Sequence, residues 1–210
     1  MKEINTIIFD VGRVLIDYCP EQVLNQLLPH SPHKKDYLNH LLLSPLWHDL
    51  DQGVLLPEEV PEKLAPLIGQ SQEISNDIHH ILSHYVDVLA EKPESKALFL
   101  ELQKQYPIYI LSNFQEAPFK KLLSLQPYIG TATGIVVSAT IKHIKPDPKI
   151  YDYILETYKL RPETCVFIDD MPENIDACRK KGMHGIVFNS IKQVRSELKQ
   201  LRVQVKELSQ

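Results

Sequence analysis

Cysteine is scarce in this chain of 210 residues: it occurs three times, at Cys19, Cys165 and Cys178, with no pair at metal-ligand spacing. So few and so scattered, the thiols exclude a disulfide framework and suit a reducing compartment. Long apolar runs are lacking too. No stretch approaches the roughly 20 residues that cross a bilayer as a helix. The opening MKEINTIIFDVGRV meets an aspartate after too short an apolar run for a secretory signal. The expected setting is therefore the cytoplasm, with no membrane partner. Basic runs are absent and the net charge is −4, which argues against nucleic acid as a partner. Internal repeats and low-complexity segments are missing as well.

What is present is the composition of a soluble globular protein. A hydrophobic fraction of 43% over 210 residues fills one substantial core, with room for a small appended domain. Oligomeric state is bounded only as monomer or weak homodimer.

Five short runs rich in β-branched and aromatic residues predict strands: Ile4 to Val11, Ile108 to Leu111, Gly134 to Ser138, Cys165 to Ile168 and Gly185 to Phe188. The first and fourth are nearly continuously apolar, as strands buried on both faces of a parallel sheet are. Helical stripes alternate with them, such as Ile150, Ile154, Leu155 and Tyr158. PENIDACRKKG carries proline near its start, lysines in its last turn and glycine just past its end, the punctuation of a helix. The expected fold class is α/β, a doubly wound, parallel, five-stranded sheet.

From about Tyr18 to Pro93 the pattern changes. No convincing strand is visible there, and Leu24, Leu27 and Leu28, then Leu38, Leu41 and Leu42, then Ile78, Ile81, Leu82, Tyr85 and Leu89 keep helical spacing. The predicted organisation is an α/β core of residues 1–17 and 94–210, with a helical cap of residues 18–93 inserted after the first strand. In the tail, Val194, Leu198, Leu201, Val205 and Leu208 step by four and three. A last helix docked on the sheet explains this, and a short coiled coil is the alternative.

Four motifs carry chemistry. IIFDVGRVLID puts Asp10 at the end of a buried strand, with Gly12 two residues on; a strand-end turn is the plain alternative. YILSNF brings Ser112 and Asn113 to the start of the next helix, where hydroxyl, amide and main-chain N–H groups suit phosphate or simply cap the helix. IKPDPKIY fixes Lys145 ahead of two prolines, as an anion's counter-charge or as a solvated lysine. CVFIDDMPEN places Asp169 and Asp170 together after an apolar run. Neighbouring carboxylates raise each other's pKa unless a cation intervenes, and hard oxygen donors suit Mg²⁺. Asn174 either orients one of them or caps the following helix.

Taken in order, the four motifs resemble the haloacid dehalogenase superfamily, subfamily IA. The resemblance spans nearly the whole predicted sheet. IIFDVGRVLID together with WHDLDQG resembles a bacterial branch that includes a sugar 1-phosphate phosphatase. The resemblance implies a Mg²⁺-dependent phosphatase acting on a small phosphorylated metabolite. In it Asp10 is the nucleophile that becomes an aspartyl-phosphate, and also a metal ligand. The Gly12 carbonyl and Asp170 are further ligands, with Asp169 a ligand or its support. Ser112 and Asn113 hold the phosphoryl group, and Lys145 balances its charge.

One position departs from the family's pattern. Most of its phosphatases have an acid/base aspartate where this chain has Gly12, and glycine where it has Arg13. Proton transfer of that kind is worth about 10²–10⁴-fold in rate. Three readings compete: a working phosphatase in which water, substrate or a cap residue moves the proton; a protein that only binds a phosphorylated metabolite or a protein partner; and a dehalogenase, against which Asp169 and Asp170 argue. His48, beside Trp47 in WHDLDQG, is the first candidate for the missing acid, and Asp17 is a second group that would face the pocket. Seven of the nine histidines lie at positions 30 to 84. His80 and His84 would share a helix face, but no further donor stands at zinc spacing.

Overall fold

The structure is a computed structural model that describes residues 2–206. Strand β1 (Thr6–Phe9) is buried along its length, as its apolar run requires. A two-residue strand β2 (Ile16–Asp17) follows. Next come helices α1 (Pro20–Leu27), α2 (Lys34–Tyr37, continued by a π-helical turn over Leu38–Leu42), α3 (Pro45–Gln52), α4 (Val60–Ile68) and α5 (Gln72–His84). A second two-residue strand, β3 (Ala90–Glu91), pairs antiparallel with β2 and so joins the two ends of the helical segment. The chain then alternates: α6 (Pro93–Leu102), β4 (Ile108–Ser112), α7 (Glu116–Leu125), β5 (Gly134–Val137), α8 (Ser138–Ile141) and α9 (Pro148–Thr157). It ends with β6 (Cys165–Asp169), α10 (Pro172–Lys180), β7 (His184–Val187) and α11 (Ile191–Gln200).

The main sheet has the order β5-β4-β1-β6-β7, and every neighbouring pair is parallel. This is the expected five-stranded sheet, each strand within two or three residues of its predicted bounds. The chain runs outward from β1 through β4 to β5, then crosses back to lay β6 on the other side of β1. Strand order therefore reverses at β1, and the crevice of an open α/β sheet lies at the carboxyl ends of the strands there.

Side chains alternate across the sheet. Ile7 and Phe9 enter a core with Leu98, Phe99 and Leu102 of α6 and Val194 and Leu198 of α11; Ile8 enters the opposite core with Ile150 and Ile154 of α9 and Ile175 of α10. The first core continues without a break into the helical segment, through Leu24, Trp47, Leu64 and Ile78.

One expectation changes. A strand does occur in the stretch read as free of strands: β3, whose two residues are too few to show a period. The tail is a docked helix, since Ile191, Val194 and Leu198 are buried and α11 stops at Gln200, before the stepped pattern is complete. Leu208 of that pattern lies outside the described residues.

Gly134 marks a place where only hydrogen fits. A Cβ there would run into the ring of Tyr158 and come within 2.8 Å of Tyr109 Cδ1. Tyr158 cannot simply withdraw, because its hydroxyl accepts a hydrogen bond from Ile135 N–H (3.0 Å). Gly134→Ala is expected to lower stability by ~1–3 kcal/mol through overpacking. The measurement is a urea titration, in which an unchanged midpoint would contradict this packing.

Candidate active site at the carboxyl end of the sheet

Asp10 follows β1 directly, its N–H donating to Ile168 O (2.9 Å) and so extending the pairing with β6. Its carboxylate is nearly fully buried and lies 2.7 Å from Lys145 Nζ. The same ammonium lies 2.7 Å from Asp169 Oδ2, at the end of β6. Lys145 itself is held through its main chain: its N–H donates to Asn113 Oδ1 (2.7 Å), and Asn113 Nδ2 donates to its carbonyl (3.0 Å). The loop after β4 thereby fixes the loop before α9.

Asp169 is fully buried, and both of its oxygens are occupied. Oδ1 accepts from Met171 N–H (2.8 Å) and Asn174 Nδ2 (2.9 Å), while Oδ2 accepts from Lys145 and from Asn174 (3.1 Å). Asn174 thus orients the carboxylate rather than capping α10. Asp170, next to it, is partly exposed and lies 3.6 Å from Arg13 Nη1. Arg13 adopts φ 57, the left-handed conformation that favours glycine.

Charge is concentrated here. Burial pushes the Asp10 carboxyl up to about 7; Lys145 opposes the shift, and Asp169 and Asp170 add to it. Burial and then Asp169 likewise raise Asp170. Burial would lower Lys145, but Asp10 and Asp169 outweigh it and keep the ammonium charged. Among the described residues, Asp10, Asp169 and Asp170 form a group able to hold a cation, their ligand oxygens all within 4.8 Å of one another. Three carboxylates against Lys145 and Arg13 still leave a negative balance, and hard oxygen donors of this kind suit Mg²⁺. The site fits the metal. Because the oxygens of Asp169 are already bound, the donors left to face an ion are Asp10 and Asp170.

Ser112, at the end of β4, is buried with no hydrogen-bond partner for its hydroxyl, which is the state of a group awaiting a polar ligand. Of the groups Asn113 was expected to offer, the structure commits one. Its side-chain amide is consumed in clasping Lys145 and is not directed at an anion. Gly12 has open space around the place a Cβ would take.

A cavity of about 70 Å³ opens at Gly12 and Asn113 and runs into the helical segment, between Ile16, Tyr18, Trp47, Asp51, Tyr85, Leu89 and Phe114. His48 is exposed and lies outside this lining. On α3, Trp47 faces inward, and the residue one turn further along that face is Asp51. Asp17 lines a different cavity, with Lys92 and Phe188. In the helical segment His84 bonds Asp87 (2.8 Å), and no histidine joins a metal-holding group among the described residues.

Asp51 is the residue that the sequence reading missed. Gln115 Nε2 donates to its Oδ1 (3.3 Å). Burial pushes its carboxyl up to about 7, against the opposing pull of Gln115; Asp10 adds to the shift and Lys145 opposes it. The available signal was its spacing of four from Trp47 within WHDLDQG, the stretch in which His48 was singled out instead.

The family model for haloacid dehalogenase-like hydrolases matches residues 7–188. The chain belongs to this family. Among relatives, this hydrolase is 25% identical over 195 residues to sesquiterpene phosphatase astK of Aspergillus oryzae, covering 92% of this chain and 94% of that protein. It is 23% identical to D-ribitol-5-phosphate phosphatase of Bacteroides thetaiotaomicron, over 85% of this chain and 89% of that one. A family enzyme from Bacteroides thetaiotaomicron, solved with magnesium and inorganic phosphate, superposes with a TM-score of 0.71 over 89% of this chain and 94% of its own, at 19% identity. L-2-haloacid dehalogenase of Xanthobacter autotrophicus superposes at 0.66 with 16% identity, over 96% of this chain and 84% of its own. Identities this low show a shared fold.

The placement of Asp51 has a consequence for stability. In the unfolded chain it releases its proton near 3.8, whereas the folded protein holds it to about 7. Between those values the native state binds the extra proton, so this residue makes stability fall as pH rises. Asp51→Asn removes that loss. In the metal-free protein its urea midpoint is expected to gain on the wild type from about pH 4 to about pH 7 and to hold the gain above. A constant difference across that range would contradict this placement of Asp51 in the cavity lining.

Proposed function

We propose that this hydrolase is a Mg²⁺-dependent phosphatase that cleaves a small phosphorylated metabolite through an aspartyl-phosphate on Asp10. One observation carries the reading: Lys145 Nζ lies 2.7 Å from both Asp10 and Asp169, whose ligand oxygens stand within 4.8 Å of those of Asp170. Phosphoryl transfer needs an in-line nucleophile and neutralisation of charge on the transferring group more than any other chemistry. This site supplies both.

In the proposed mechanism, Asp10 attacks phosphorus while Lys145 favours its ionised form and orients it. Ser112 donates to a phosphoryl oxygen. Asp10, Asp170 and the Gly12 carbonyl would hold Mg²⁺, which would offset the negative charge shared by substrate and carboxylates. Asp169 positions Lys145, and Asn113 fixes the height of that lysine through its main chain. Water then releases phosphate and restores Asp10.

Residues 18–93 form the cap and residues 1–17 with 94–210 the core in this reading, with the substrate's leaving group in the cavity between them. The relatives' substrates, a polyol phosphate and a terpenoid phosphate, bracket what that cavity would take. Its aromatic walls with a few polar groups have the character of a small-ligand site, and its volume of about 70 Å³ admits part of the carbon skeleton of a small phosphate ester. The cytoplasm fits three cysteines that are all unpaired.

The test is phosphate release from D-ribitol 5-phosphate, α-glucose 1-phosphate and p-nitrophenyl phosphate, with Mg²⁺ or EDTA, for wild type and Asp10→Asn. Turnover that requires Mg²⁺ and falls at least about 10³-fold in the variant is expected. Turnover indifferent to Asp10→Asn would sink the assignment.

A further inference from the structure

The reaction proposed above leaves one proton without a carrier. When Asp10 attacks phosphorus, the bond to the leaving oxygen breaks, and an alkyl leaving group departs as a basic alkoxide. Gly12 has no side chain to protonate it. Asp10 is the reacting group, Lys145 is held between two carboxylates, and Asp169 is occupied by four hydrogen bonds. Asp170 stands among the metal-holding group beside Arg13.

From Gly12 and Asn113 the cavity leads to Asp51 on α3. Its acidic neighbours in that lining are the phenols of Tyr18 and Tyr85, both raised further from neutrality by burial. The Tyr18 hydroxyl is buried without a hydrogen-bond partner, which points to a polar ligand atom in this cavity.

The end of α3 is fastened to the core, so the main chain that carries Asp51 is held in place, and Gln115 Nε2 donates to the carboxyl itself (3.3 Å). Ser138 Oγ donates to the main-chain carbonyl of Asp51, Gln52 Nε2 donates to Lys142 O (2.9 Å), and Lys142 Nζ donates to Gly53 O. Gly53 ends the helix at φ 70, and a Cβ there would come within 2.8 Å of Ala139 O, so the backbone sits directly on α8.

We propose that Asp51 is the general acid and base of this enzyme, delivered from the helical segment to the reaction opposite Gly12. The proposal rests on the phosphatase reading above. In the first half-reaction the bond from Asp10 to phosphorus forms, the bond from phosphorus to the leaving oxygen breaks, and the Asp51 proton passes to that oxygen. In the second, Asp51 takes a proton from water as its oxygen bonds phosphorus and the Asp10 bond breaks. The sum is ester plus water giving alcohol plus phosphate. A carboxyl that titrates near neutrality is suited to both roles. The charged and polar groups facing it are Gln115, Asp10 and Lys145 from the core and Tyr18 and Tyr85 beside it.

The experiment compares wild type, Asp51→Asn and His48→Ala on two esters. One is p-nitrophenyl phosphate, whose leaving group departs without a proton. The other is whichever alkyl phosphate the wild type hydrolyses in a panel starting with D-ribitol 5-phosphate. Asp51→Asn is expected to lower kcat/KM for the alkyl ester by about 10²–10⁴-fold. For p-nitrophenyl phosphate kcat/KM should change less than about tenfold, with a burst of p-nitrophenol matching the enzyme concentration because the second step has lost its base. His48→Ala should match the wild type on both. An equal loss on the two esters, or an unimpaired Asp51→Asn, overturns the proposal while leaving the phosphatase reading intact. A wild type silent on the whole panel overturns both. The urea midpoints of the preceding test show whether Asp51→Asn is folded.

Discussion

The rest of this site depends on a single ammonium group buried between two carboxylates. Lys145 reaches Asp10 and Asp169 at 2.7 Å each, with almost no solvent to screen any of the three. Buried ions persist only where geometry and further hydrogen bonds compensate their lost hydration. Here the compensation is visible: Asn174 and Met171 N–H satisfy Asp169, and the Asn113 clasp fixes the lysine's backbone. The balance still leans negative. That residual charge, with open carboxylate oxygens on Asp10 and Asp170, is what makes a divalent cation chemically appropriate.

Sheet topology puts these groups together. Asp10, Ser112 and Asp169 are far apart in sequence but stand at or just past the ends of β1, β4 and β6, the three strands that meet where strand order reverses. Parallel strands carry their carboxyl ends to one edge, so residues with the same role in successive βα units converge there.

The helical segment is joined to this edge by packing as well as by polar contacts. Trp47 meets Tyr85 edge-on at 5.1 Å, and Tyr85 stacks on Phe114, two residues past Ser112, at 6.0 Å. Aromatic faces in contact make stiff cavity walls. The fold thereby sets a largely aromatic cavity beside a highly charged cluster.

The sequence by itself determined the α/β class, the five parallel strands, and the identity of the charged groups at their ends. Continuous apolar runs and carboxylates at strand ends are local signals, and no distant contact is needed to read them. It also located the helical stretch through its three-to-four spacing. Only the tertiary structure decided which groups face one another. It spent the Asn113 amide on the Lys145 backbone, gave Arg13 to Asp170, turned His48 outward, and brought Asp51 into the cavity at Gly12. The two-residue ribbon of β2 and β3 was equally out of reach, since two residues have no period. The reason is the same in each case. Which partner a polar side chain takes is settled by neighbours tens of residues away, and a linear pattern records a residue's own preferences but not the company the fold gives it.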